Sequence, residues 1–582
     1  MVAYRMNSFP AAWILAASIG IFLTSPVLSQ ETEGAKLGVW NEEVESLWWQ
    51  ENTEPQQWFD LVDGMSITLR EAHTRHGLGK MIKNPHWLGW MLHTRWLSLF
   101  PKDWEKRPVF QQQEGRDIFV KLGRTPKLRD AFLAALVPDD DEPEAISILV
   151  EIAKAHPKKI MEYGNLAIAY AIVFDQPIPD QWPHPFVESR KLPIGNSNPA
   201  ERFAFYVAAQ EAKALVHDLR RIGVQDLTFL VDSPLEHREF EYAQQMSIST
   251  PSRLAQLYPQ VPYDMSRITK KTYIWPHATY RLIDIGTKGG ICMDQAFFVA
   301  QTGKAKGIPT LLFTGQGLSG DHGWVGFLGN GGRWEMDVAK SGSQDYPIGQ
   351  AFDPQTWKRI TDSELQALQK GTDFDGTFGI GQKLMQWAAL NEKGKLYHET
   401  VKAARISMGA DPRPWQLEAD WLEESGADPE TRLGFWESWA RNYSRNPDME
   451  VKGQMRVIAI LEELGKESEA ERLRASVMSG NRSKRFDLGI AIAADPVFRK
   501  LRLRDFEGAE EAFENGMRRF RTKAGGHLFY NLIQPYTLTC LQEEQNELAK
   551  DAIKHLDRSF QAASGTMLAQ DMAALIERVE RE

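Results

Sequence analysis

Cys292 is one of only two cysteines in a chain of 582 residues, and its setting suits chemistry. It follows a Gly289-Gly290 turn and leads into Ala296-Phe297-Phe298-Val299-Ala300, which predicts a buried helix that starts at the cysteine and ends by Gly307. The thiolate is the nucleophilic form of cysteine. A helix N-terminus together with a nearby imidazolium lowers its pKa from about 8.5 to below about 7. His322 and Asp337 follow at the spacing of a strand hairpin. In the expected arrangement Cys292 attacks an amide carbonyl, His322 pairs with the thiolate and later protonates the leaving amine, and Asp337 fixes the imidazole tautomer. The backbone N–H of Cys292 is one oxyanion donor. Trp275, Tyr280 and Trp324 are secondary candidates for oxyanion or substrate-lining roles.

The positioning elements are legible around these residues. Ile308-Pro309-Thr310-Leu311-Leu312-Phe313-Thr314 reads as a strand, and residues 321–328 and 333–338 flank Gly329-Asn330-Gly331-Gly332 as a hairpin. A two-residue or four-residue loop sets Trp324 opposite Asp337. His322 then shares their face and becomes a diagonal neighbour of Asp337, roughly 7–8 Å away.

Cys292 at a helix start, Gly307-Ile308-Pro309, His322-Gly323-Trp324 and Trp334-Glu335-Met336-Asp337 together resemble the transglutaminase-like superfamily, over about residues 270–345. The resemblance implies a papain-like core with Cys, His and Asp in this chain order. It also implies amide chemistry through a thioester on Cys292: peptide or amide hydrolysis, or acyl transfer from glutamine to an amine. Hydrolysis ranks first because water is the default acceptor. Gly323 and Val338 depart from the family pattern, which has alanine after the His and proline or a small polar residue after the Asp. The contrasting expectation is a catalytically silent scaffold that binds a protein partner through its helices.

Other readings compete for the same residues. A lone cysteine is often a small buried hydrophobe, and a disulfide between Cys292 and Cys540 is the only intrachain bridge the composition allows. His277 is a lesser rival to His322 as base. Gly315-Gln316-Gly317-Leu318-Ser319-Gly320 matches a dinucleotide fingerprint in letters, but a second strand follows it where that fingerprint needs a helix.

The length predicts several domains. Residues 1–29 read as a signal peptide, with Arg5, an apolar stretch over 11–23 and Val27-Leu28-Ser29 before Gln30. The protein is therefore expected to be exported, periplasmic or extracellular. An uncleaved N-terminal membrane anchor is the minor alternative, because the apolar stretch is short of the ~20 residues a span needs. No later segment is expected to cross a membrane.

Residues 30–199 form the expected helical N-terminal domain. Its Trp48, Trp49, Trp58, Trp87, Trp90, Trp96 and Trp104 suit inter-helix packing better than sugar stacking. A helix over 128–137 stops at Pro138, and Asp139-Asp140-Asp141-Glu142-Pro143 caps the next helix without calcium-loop spacing. The proline-rich 176–199 reads as a linker or extended crossing. The core, 200–352, opens with a helix over 201–222 and a strand over 227–231. Residues 353–582 read as helical pairs that loosely resemble tetratricopeptide repeats without a fixed period, an α-solenoid-like array suited to a protein partner. The expected class is α+β, mostly helical. The net charge of −10 is not gathered into tails and argues against a nucleic-acid partner. The expected substrate is a protein or peptide, with no cofactor and no metal.

Overall fold

The computed structural model describes residues 54–582 apart from 196–197, 271, 318–320, 341–346, 369–376, 482–484, 524 and 561–566. The expected signal segment, its anchor alternative, Trp48 and Trp49 lie outside the described residues. The chain is mostly helical with one five-stranded antiparallel sheet, an α+β architecture. It divides into two compact units, Met1–Ala171 with Gly371–Trp421, and Ile172–Lys370 with Leu422–Glu582. The helices Thr377–Ala389 and Lys395–Met408 therefore belong with the N-terminal helices rather than with the C-terminal array.

In the first unit the tryptophans pack as expected. Trp58 and Trp96 are fully buried against Phe119, and Trp96 Nε1 donates to the Phe119 carbonyl at 3.2 Å. Asp141 caps Glu142–Ala155 by accepting from the Glu144 N–H, with Pro143 in the first turn. That satisfies an otherwise orphaned donor.

In the second unit the strands are β1 (Thr310–Gln316), β2 (Asp321–Leu328), β3 (Trp334–Val338), β4 (Gln350–Phe352) and β5 (Arg359–Thr361), in the order β3-β2-β1-β4-β5. The helix Cys292–Ala305 packs on β1 and β2, and from Met293 onward every residue of it is buried. Even its Lys304 is buried. The ammonium donates to the Phe229 carbonyl at 2.5 Å and the Thr310 carbonyl at 2.8 Å, and it pairs with Asp232. The helix ends at Gly307, whose φ of 73° lets the Gly307 N–H reach the Lys304 carbonyl and the Ile308 N–H reach the Gly303 carbonyl, both at 2.9 Å. This double closure turns the chain straight into β1.

Three expectations change here. Residues 176–199 are not a free linker: Trp182 packs edge-on against Phe297 and His184 is buried, so this proline-stiffened segment is part of the core. The helix expected over 201–222 stops at Glu211, followed by a left-handed Lys213. Residues 227–231 belong to a helix, Val224–Val231, that packs on the cysteine helix and β1. A short continuous apolar run does not distinguish helix from strand. In the C-terminal part, helices from Pro429–Asn442 to Met567–Arg581 pack largely against their sequence neighbours, and those from Pro447–Glu463 onward share a continuous apolar core in which Cys540 is fully buried. No helix among the described residues is long and apolar enough to cross a membrane.

Candidate active site around Cys292

Cys292 is the first residue of its helix and is partly exposed. The backbone N–H groups of Gly323 and Met293 are directed at its sulfur. Burial nevertheless pushes the thiol up to about 11, and the charges of Asp294 and Asp321 act the same way. The lowered pKa expected from a helix terminus and an imidazolium is therefore not the resting state. Removing the sulfur from water outweighs two N–H groups, and burial also lowers the pKa of His322, which disfavours the imidazolium.

His322 lies on β2 beside the cysteine helix, and its Nε2 is 2.8 Å from the carbonyl oxygen of Ala339. A carbonyl only accepts, so Nε2 carries the proton and Nδ1 is the basic nitrogen of the neutral ring. Asp337 does not take the expected orienting position. Its side chain is 70% exposed and pairs with Lys340 at 3.1 Å. The reason is register. The hairpin loop holds five residues, Gly329 to Arg333, and a bulge lies between Val325 and Phe327, so Val325 pairs with Val338 and Phe327 with Glu335. A one-residue slip exchanges the faces of a strand, and Asp337 shares the exposed face of β3 with Glu335. The structure thus sets His322 on the strand that packs against the helix Cys292 opens, with Tyr258 bonded to the Cys292 carbonyl and its ring beside that of His322, and turns Asp337 outward.

The secondary candidates are committed elsewhere. Trp275, Tyr280 and Trp324 are all essentially buried. Trp275 Nε1 donates to the Thr279 carbonyl at 2.8 Å, the Tyr280 hydroxyl to Asp294 at 2.8 Å, and Trp324 Nε1 to the Met336 carbonyl at 2.9 Å. Trp324 does stack beside His322, with ring centroids 6.1 Å apart. His277 packs against Trp275 rather than joining the site. Both cysteines are free, so the disulfide expectation is not met. Gly315-Gln316 completes β1, and β2 follows.

Several site residues carry no sequence signal of their own. The Tyr258 hydroxyl lies 2.7 Å from the Gly323 carbonyl and 3.2 Å from the Cys292 carbonyl, and so ties β2 to the first turn of the helix. Gly323 is required at this approach: a Cβ there would sit 2.5 Å from Met293 Sδ and 3.2 Å from Met293 Cα. Asp321 opens β2, and loss of solvent around its carboxyl plus the charge of Asp571 pushes it up to about 6. Asp571 accepts from the Tyr530 hydroxyl at 2.6 Å, and the neighbouring Gln570 donates to the Tyr273 hydroxyl at 3.3 Å. Tyr530 sits in a π-helical segment, Phe529–Ile533, a local geometry often found at functional sites. The C-terminal helices thereby contribute side chains near Asp321 and Tyr273.

No family model matches this chain, and no curated protein or solved structure matches it either.

Proposed function

We propose that this chain is a transglutaminase-like acyl-transfer protein with a papain-like core, which hydrolyses an amide or peptide bond through a thioester on Cys292. The observation that carries the reading is a helix-start cysteine, faced by the N–H groups of Gly323 and Met293, on the helix that packs against the strand holding a histidine whose Nε2 is tied to a carbonyl. The acyl carbon accepts the Cys292 sulfur while His322 Nδ1 takes the thiol proton. The carbonyl electron pair moves onto oxygen, where first-turn N–H groups face the charge. Collapse expels the amine, which takes its proton from His322. Water, deprotonated by the same nitrogen, attacks the thioester, releases the acid and restores the thiol. Because the resting pair is a neutral thiol and a neutral imidazole, proton transfer accompanies attack instead of preceding it. An amine in place of water gives glutamine acyl transfer. The substrate is a protein or peptide met outside the cytoplasm, a placement that rests on the signal-like residues 1–29. The solenoid-like C-terminal helices offer a surface for a protein partner.

A second reading, a catalytically silent scaffold, is favoured by the outward Asp337 and the raised thiol. Cleavage or amine incorporation on glutamine-containing peptides decides between them. Activity in the wild type that vanishes in Cys292→Ala and His322→Ala supports the enzyme. Partner binding unchanged in both variants, with no turnover in the wild type, supports the scaffold.

A further inference from the structure

Two residues beyond the nucleophile, Asp294 is fully buried and makes four contacts. Its Oδ2 accepts from the Ile291 N–H at 2.8 Å and from Arg267 Nη1 at 2.5 Å. Its Oδ1 accepts from the Tyr280 hydroxyl at 2.8 Å. The fourth contact is with Gly290, where a Cβ would lie 2.4 Å from Asp294 Cβ, so only a glycine lets the carboxylate fold back under the turn. With its proton given to Asp294, the Tyr280 hydroxyl receives His184 Nε2–H at 2.9 Å, and His184 Nδ1 then accepts the Phe186 N–H at 3.3 Å. Arg267 is as deeply buried. It also donates to the Tyr273 carbonyl and lies 5.7 Å over the Trp275 ring.

We propose that Arg267 and Asp294 are a matched positioning pair for Cys292, pinning the first turn so that the sulfur faces the Gly323 N–H while keeping the charge beneath it balanced. This rests on the reading of Cys292 as the nucleophile. A carboxylate at this distance opposes ionisation of the thiol. A guanidinium bonded to that carboxylate weakens the opposition, and left alone it would reverse it. A network that served core stability alone would respond alike to the loss of either partner. A matched pair responds with opposite signs.

The test is the pH dependence of iodoacetamide alkylation, mapped to Cys292 by mass spectrometry in the full chain. Arg267→Met is expected to move the alkylation midpoint up and Asp294→Asn to move it down, each by about one pH unit. The double variant, neutral at both positions, returns to within a few tenths of wild type. Same-direction shifts, or no shift, in folded variants overturn the proposal. If a single variant does not fold, Arg267→Lys and the double variant decide. Both are expected to keep the wild-type midpoint, with the limiting rate lowered several-fold in Arg267→Lys, which loses the fork geometry; a displaced midpoint in either overturns the proposal. Opposite shifts without any turnover would sink the catalytic reading and leave the pair intact. Turnover without the shifts would do the reverse.

Discussion

The imidazole of His322 is held by the main-chain carbonyl of Ala339, 2.8 Å from Nε2, and not by a carboxylate. Ala339 itself has a left-handed backbone, with φ 65°, a conformation that non-glycine residues adopt only when the surroundings impose it. In the proposed chemistry the carbonyl takes the tautomer-fixing part of a triad's third member but adds no full negative charge next to an imidazolium.

Removing the exposed carboxylate should therefore matter little. Asp337→Ala is expected to leave peptide turnover within about threefold of wild type, whereas His322→Ala removes it, since a positioned general base contributes about 10²–10⁴-fold. Steady-state kinetics on both variants checks this. A loss in Asp337→Ala as large as in His322→Ala would restore Asp337 to the site.

Gly323→Ala would press its new methyl onto Met293 Sδ and Cα. Overpacking of this kind costs about 1–3 kcal/mol. A lowered Tm, partly recovered in Gly323→Ala with Met293→Ala, is the expected result in thermal unfolding. Unchanged stability in the single variant would show that the approach of β2 to the helix is looser than it stands here.

His184 is fully buried and pushed down to about 4 from its ordinary 6.5 by loss of solvent. A base depressed in the fold contributes stability that is present above about 6.5 and lost as pH falls through about 4, on the order of 3 kcal/mol. Denaturant titrations across this window should show the decline, and His184→Gln should flatten it.

Asp321 runs the other way. Its carboxyl is held near 6, above the ordinary 3.8, by loss of solvent and then by the charge of Asp571. Stability from this group is complete below about 4 and is lost as pH rises through about 6. Asp321→Asn is expected to raise Tm relative to wild type above pH 6, with the two curves converging in acid. Parallel curves would mean that the fold does not raise the Asp321 carboxyl.

Much of the scaffold was legible. Gly-Gly before Cys292 and the run after it gave the helix, its end at Gly307 and the following strand. Asp141-Glu142-Pro143 gave a capped helix, and the spacing of apolar positions located the C-terminal helices. What failed was parity. The Asn-Gly signal found the hairpin, but the bulge near Val325 and the inclusion of Arg333 in the loop moved Asp337 to the other face. Local composition encodes neither the bulge nor the length of the loop. Tyr258, Arg267, Asp571 and Tyr530 were illegible for a different reason: each makes its contacts across a chain separation that no local period records. The proline-rich 176–199 stays open in the sequence between a linker and an extended crossing, because extended backbone with many prolines looks alike whether it crosses solvent or a core.

The most direct test of the central claim is acyl-enzyme formation. The full chain, incubated near neutral pH with p-nitrophenyl acetate, is examined by intact-protein and peptide mass spectrometry. The expected result is one acetyl group on Cys292 in the wild type, none at that position in Cys292→Ala and at least about a hundredfold slower labelling in His322→Ala. A folded wild type whose Cys292 stays unmodified, or is acetylated equally fast without His322, would contradict a Cys292–His322 nucleophile pair.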